Sequence, residues 1–307
     1  MFQVVTVRRT GEAFRAGRTG PPQIADPARA DSASGSQPRE LPCTGPGKAV
    51  WARSAAVPGR PPVPEPDTPL PSLRSACFNA YWAAWTALFL VPLLAFAVSG
   101  APARPIRAAT RLWARGILFG LRGIVGLGYV EEGRERIPDG PCLIVANHQS
   151  AWETLAFLIL VPDVAIIAKR ELVAIPVVGW FLRRSPMIII DRANGTQALR
   201  TMIEESRAAV AAGRSVLIFP EGTRSAFGAP VQFKRGAELL YGKLGLPVLP
   251  VAVNSGLYWP SGSLSRPGTV VVSYLAPLAA GLSAAAFMEG TERAIDRELD
   301  RWRPAAA

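Results

Sequence analysis

The chain of 307 residues holds one histidine, His148, and a carboxylate follows five positions later at Glu153, within "NHQSAWE". Imidazole is the side chain best suited to take and return a proton near neutral pH. A carboxylate against one of its nitrogens fixes the tautomer and leaves the other nitrogen free as a base. The same carboxylate favours the imidazolium that forms once that base has acted. No GxSxG nucleophile elbow is present to complete a triad. The pair is therefore expected to activate a hydroxyl or a water that belongs to the substrate. A second cluster is "FPEGTRS", residues 219–225. Gly222 lets the backbone come close to a ligand, and neighbouring N–H groups can point at an anion. Arg224 can hold a phosphate or carboxylate through two hydrogen bonds. An ordinary surface turn can also read Glu-Gly-Thr-Arg, so this cluster gains its weight from the histidine.

Both clusters follow short apolar runs. "CLIVAN" (142–147), "VAIIAK" (164–169), "MIIIDR" (187–192), "SVLIFP" (215–220), "VLPVAVN" (248–254) and "TVVVSYL" (269–275) are rich in β-branched residues and read as buried strands. Helix-length segments separate most of them, such as 196–212, and an amphipathic helix is expected over 283–302. Strands alternating with helices predict an α/β fold with a mostly parallel or mixed central sheet flanked by helices. In such folds sites gather at the carboxyl ends of the strands. Polar residues occupy those ends here: Asn147-His148, Lys169-Arg170, Asp191-Arg192, Glu221 to Arg224, and Asn254-Ser255. The glycines of "GLRGIVGLG" precede "YVEEG", which does not read as a helix, so they make no dinucleotide fingerprint.

Upstream the texture differs. Residues 1–74 hold 13 of the 29 prolines and are expected to form a disordered tail. No apolar stretch of signal-peptide type follows the first charges. Residues 75–103 carry no charge across 29 positions, long enough for a membrane helix, with Trp82 and Trp85 placed as interfacial anchors and Pro92 as a kink. Arg104, Arg107, Arg111, Arg115 and Arg122 fall within an arc of about 80° on a helical wheel, opposite Ile106, Trp113, Ile117 and Ile124. That pattern predicts a helix in the interface of an anionic bilayer with its apolar face down. A basic face laid over a protein core would look the same. The expected divisions are a tail at 1–74, a membrane-docking helical segment at 75–125 and a catalytic domain at 126–303. A net charge of +11 and 49% apolar residues suit an anionic lipid surface or acidic substrates. Nucleic acid would account for the charge but not for the uncharged run. Three scattered cysteines without a CxxC pair speak against a structural zinc site or a disulfide framework.

"NHQSAWE", "IIIDR", "FPEGTRS" and "LPVAVNSG", in this order, resemble the four motif blocks of the glycerolipid acyltransferases, above all the 1-acyl-sn-glycerol-3-phosphate acyltransferases. The resemblance spans about residues 126–280. It implies acyl transfer from acyl-CoA or acyl-acyl carrier protein to the sn-2 hydroxyl of a lysophospholipid, giving phosphatidic acid. It makes His148 the general base and Glu153 its orienting acid, where the common pattern has aspartate. Gly222, Thr223 and Arg224 would hold the acceptor phosphate, with Glu221 as a structural brace. Arg192 matches the second block, and Lys169 is a further candidate for the same anionic pocket. No metal and no redox cofactor is implied. The implied location is the cytoplasmic face of the inner or plasma membrane. Acylation of another lyso-lipid or of glycerol-3-phosphate, thioester hydrolysis, and a non-catalytic lipid-binding role are the alternatives.

Overall fold

The computed structural model describes residues 69–175, 177–185, 187–261 and 265–303. The expected disorder of the tail concerns residues 1–68, which lie outside the described residues, and residues 69–74, which are helical. Helix α1 (Pro69–Leu88) begins on prolines. A first helical turn tolerates proline because its N–H groups have no partner in the helix. The apolar run is not one helix. It breaks at Phe89 and resumes as α2 (Leu90–Ser99). Pro92 explains the position of the break, since its ring would strike the carbonyl of the residue four earlier, Leu88. Gly100, in the left-handed region at φ 62°, ends α2. Then α3 (Ala103–Gly120) follows.

Helix α1 lies closely against α3. A β-carbon on Gly116 would strike the Trp85 ring, and one on Gly120 would strike the ring of Tyr81. The ring polar atoms are used within the pair: Tyr81 donates to Gly116 O at 2.9 Å, Trp85 Nε1 to Trp113 O at 3.0 Å, and Trp113 Nε1 to Thr86 Oγ1 at 3.1 Å. Trp82 packs on Phe78 and Trp259. Trp82 and Trp85 are half-buried and also pack within the protein.

The face of α3 is corrected. Ile106, Trp113 and Ile117 are buried in the protein core beside α4 (Trp152–Leu160), so the apolar side meets protein rather than lipid. Two of the five arginines turn inward at the edge of that contact. Arg107 and Arg111 both pair with Asp163, at 3.0 and 2.9 Å. The opposite face of α3 exposes Leu112 and Phe119 among Arg104 and Arg115, with Arg122 exposed on the turn that follows.

The sheet has seven strands in the order β1-β7-β6-β2-β5-β3-β4. They are β1 (Leu127–Glu132), β2 (Leu143–Ala146), β3 (Ala165–Lys169), β4 (Ile188–Ile190), β5 (Val216–Ile218), β6 (Val248–Val253) and β7 (Gly268–Tyr274). All pairs are parallel except β6 with β7. The five strands from β6 to β4 consequently end along one edge. The first strand, β1, has no counterpart among the sequence-predicted runs. It is an edge strand with a glycine and two glutamates, and its alternation is weak.

Alternate residues of each central strand serve opposite layers, as the two-residue period of a strand demands. Ile144 and Ala146 join α1, α3, α4 and α5 (Val178–Arg184). Leu143 and Val145 join α6 (Gly195–Ala211), α7 (Arg235–Leu244) and Phe287 of α8 (Ala284–Asp300). Ser283 caps α8 by accepting the Ala286 N–H at 3.2 Å.

Burial pushes the Asp163 carboxyl up, but hydrogen bonds and charge from Arg107 and Arg111 outweigh it and hold the group below the usual aspartate range. A depressed folded value stabilises the fold above the unfolded value, and this is lost as pH falls through the folded one. Asp163→Asn keeps a side chain that tolerates the local φ of 50°. It should lower Tm by about 2–4 °C at neutral pH. The gap to the wild type should close on acidification below the usual aspartate range. Thermal melts of both proteins across pH check this, and a gap that persists in acid would refute the pairing as its source.

Candidate active site

The parallel run of β2 to β6 brings the strand-end clusters together. His148 follows β2, and its ring stacks on Phe219 with centroids 4.3 Å apart. Glu153 lies in the first turn of α4 and is fully buried. Its Oε2 stands 3.4 Å from His148 Nδ1. That is ion-pair range, yet Nδ1 is buried without a hydrogen-bond partner. The carboxylate thus reaches back to the imidazole as expected, one short adjustment away from a hydrogen bond. Such catalytic bonds commonly tighten when substrate packs against them. Ser150 accepts the Trp152 N–H at 3.1 Å and so serves the start of α4 from one position upstream of the cap, which is Ala151.

The loop after β5 is tied to the same histidine through the main chain. Glu221 accepts the His148 N–H at 2.9 Å on one oxygen and the Ser225 hydroxyl on the other. The Ser225 N–H donates to His148 O at 2.8 Å. Burial raises the Glu221 carboxyl above the usual range, and the Ser225 and His148 donors partly offset this. Glu221 braces the loop and does not line the cavity. Gly222 sits at φ 72°, in the region that favours glycine. A β-carbon there would meet Lys234 and Arg192 at 3.2 and 3.3 Å. Arg192 donates to Gly222 O. It therefore shapes the turn as well as adding charge.

One cavity of about 1040 Å³ is lined by His148, Lys169, Arg192, Gly222, Thr223, Arg224 and Lys234, and also by Trp82, Trp113, Leu155, Phe181, Leu182 and Met187. Every expected substrate-binding residue except Glu221 faces this space. Among the described residues, Lys169, Arg224 and Lys234 have no hydrogen-bond or ion-pair partner for their side chains. Lys234 was missed by sequence reasoning. Its signal was the basic pair Lys234-Arg235 at the start of α7, with Lys234 the residue before the helix.

A family model described as Acyltransferase matches residues 129–254. The 1-acyl-sn-glycerol-3-phosphate acyltransferase of Pseudomonas aeruginosa is 39% identical over 177 residues, which are 56% of this chain and 69% of that one. This chain belongs to the 1-acyl-sn-glycerol-3-phosphate acyltransferase family. A member from Chlamydomonas reinhardtii is 30% identical over 230 residues, covering 72% of this chain and 68% of its own. The crystal structure of the 1-acyl-sn-glycerophosphate (LPA) acyltransferase PlsC from Thermotoga maritima superposes with a TM-score of 0.65 at 25% identity, over 77% of this chain and 99% of that one. The acyltransferase family model thus ends at Asn254, and it includes both the histidine and the Glu-Gly-Thr-Arg turn.

A brace and a base respond differently to substitution. Glu221→Ala leaves the His148 N–H and the Ser225 hydroxyl without their acceptor and should cost about 1–3 kcal/mol of stability. Glu221→Gln keeps an acceptor and should retain most of both stability and turnover. Thermal melts beside initial rates test this; complete loss of turnover in a well-folded Glu221→Gln would make the carboxylate a base.

Proposed function

We propose that this chain transfers a fatty acyl group from a thioester to the sn-2 hydroxyl of 1-acyl-glycerol-3-phosphate, giving phosphatidic acid for phospholipid synthesis. The observation that carries the reading is the shared cavity. It has a histidine backed by a buried carboxylate, four basic side chains, and an apolar lining from α1, α3 and α5. The acyl chain of the donor lies against the apolar lining. The acceptor phosphate is held by Arg224 with Lys234, Arg192 and Lys169, and by backbone N–H groups around Gly222.

With Nδ1 turned to Glu153, Nε2 of His148 takes the proton from the acceptor hydroxyl. The hydroxyl oxygen attacks the thioester carbonyl carbon and the carbon–sulfur bond breaks. The proton then passes from Nε2 to the departing sulfur. Base assistance of this kind contributes roughly 10²–10⁴ in rate, and holding the two substrates together supplies much of the remainder. The acyl group arrives already activated, so the scheme calls on no metal or redox cofactor. The donor carrier in this reading is coenzyme A or acyl carrier protein.

Location follows from the helices before β1. The run Leu73–Ser99 is long and apolar enough to cross a membrane, with a mean hydropathy of 1.8. Helix α2 buries none of its residues, and Leu90, Val91, Leu94 and Val98 are exposed. In our reading the α1–α2 pair enters one leaflet from the cytoplasmic side. Arg104, Arg115 and Arg122 then meet anionic headgroups while Leu112 and Phe119 rest among acyl chains.

The test uses purified protein in vesicles with radiolabelled acyl-CoA, then acyl carrier protein, supplied with lysophosphatidic acid or with a phosphate-free lyso-lipid. Phosphatidic acid should form with the phosphate-bearing acceptor alone. Free fatty acid released without dependence on acceptor would mean hydrolysis and would overturn the proposal. His148→Ala should lose roughly 10²–10⁴ in kcat without loss of vesicle binding. Arg224→Ala should raise the acceptor KM roughly tenfold or more, as expected for a lost charged hydrogen bond; an unchanged KM would remove it from the phosphate site.

A further inference from the structure

The two oxygens of Glu153 have different surroundings. Oε2 accepts the Ser150 N–H at 2.9 Å and faces His148 Nδ1. Oε1 accepts the Gln149 N–H at 3.1 Å, a longer contact from Ser150 N–H at 3.2 Å, and the hydroxyl of Ser255. The two backbone donors belong to the loop that carries the histidine and would move with it. Ser255 is the one donor among the described residues that reaches this carboxylate from another part of the sheet. It lies directly beyond β6, 102 residues along the chain, and is fully buried.

Ser255 is itself well fixed. Its carbonyl accepts the Tyr258 and Trp259 N–H groups at 3.0 and 2.8 Å. Its neighbours are tied to the same loop or to the next strand. Asn147 exchanges two 2.8 Å bonds with the Val253 backbone, Asn254 accepts the Val271 N–H at 2.8 Å, and Gln149 accepts the Gly256 N–H at 3.1 Å. A β-carbon on Gly256 would lie 2.8 Å from Gln149 Oε1, so glycine is what permits that approach. A glutamate has one more rotatable bond than an aspartate, hence more freedom to lose before it can orient a partner. An anchor on the oxygen remote from the imidazole removes that freedom.

We propose that Ser255 is a positioning residue of the catalytic pair: its hydroxyl holds Oε1 of Glu153 so that Oε2 is aimed at Nδ1 of His148. The proposal rests on the reading of His148 as the base, and it accounts for how this chain uses glutamate at that position. The fourth sequence block, "LPVAVNSG", then serves the histidine.

Because the chain has one histidine, protein labelled with ¹⁵N in the imidazole reports His148 alone. In the wild type the neutral ring should be mainly the Nδ1–H tautomer, donating to Oε2. In Ser255→Ala the ratio should move severalfold towards Nε2–H. In the same variant kcat should fall about 10–100-fold with both KM values within twofold of the wild type. Ser255→Gly is the second variant, should Ser255→Ala fold poorly. It too removes the hydroxyl that holds Oε1, so the tautomer should shift in the same direction. An unchanged tautomer ratio in both variants overturns the proposal, even if rates fall, and so does a Ser255→Ala effect confined to KM. Failure of the base reading would show separately, as full turnover by His148→Ala.

Discussion

Asn147 exchanges two hydrogen bonds of 2.8 Å with the backbone of Val253, and the working edge of the sheet depends on that pair. Strand β2 ends at Ala146 and β6 at Val253. Beyond those points no ladder bonds remain to keep the two strands in register. The asparagine side chain imitates one more rung of a sheet and carries the alignment past the last true one. His148 follows directly on one side, and Ser255, which reaches the carboxylate of Glu153, on the other. Both Asn147 and Val253 are buried. Their polar groups would be costly if unpaired there, so the register is set by avoidance of an unsatisfied group as much as by the bonds themselves.

The loop after β5 is joined to the same point by a different device. Glu221 and Ser225 both bind the main chain of His148, one through the N–H and one through the carbonyl. The position of His148 is therefore defined from two neighbouring strands, β5 and β6, that flank β2. The side chains that would meet a substrate, Arg224, Lys234 and Lys169, are left outside this network. The hydrogen bonds are concentrated on the His148–Glu153 pair and on the turn at Gly222, while these basic groups are left out of them.

Much of this was legible in the sequence. Six of the seven strands are continuous apolar runs because both faces are buried, and such runs stand out in any chain. The seventh, Leu127–Glu132, is an edge with one covered side, and its glutamates hid it. The wheel of α3 groups the correct residues on each face, but a wheel does not say what lies opposite. Protein covers Ile106, Trp113 and Ile117, and Asp163 takes up two arginines that the wheel alone would give to lipid. At the site, strand-end placement was readable because parallel topology forces it. The His148 N–H bound by Glu221 and the Ser255 hydroxyl bound by Glu153 were not, since they come from segments 73 and 102 residues away and no local pattern records such pairings. Lys234 was overlooked for a related reason: its nearness to Gly222 arises from the return of the chain after the loop.

The fit of α1 on α3 has a mechanical consequence. Aromatic rings sit where glycine alone leaves room, at Gly116 and Gly120, and Phe89 at the α1–α2 break is buried against Trp85 and Phe181. The joint between the apolar helices and the body of the protein is thus filled with side chains, with little slack for a hinge. The position of His148 relative to α2 is set by this packing, like a tool held in a clamp. The distance from α2 to the imidazole is then a property of the fold rather than of its surroundings.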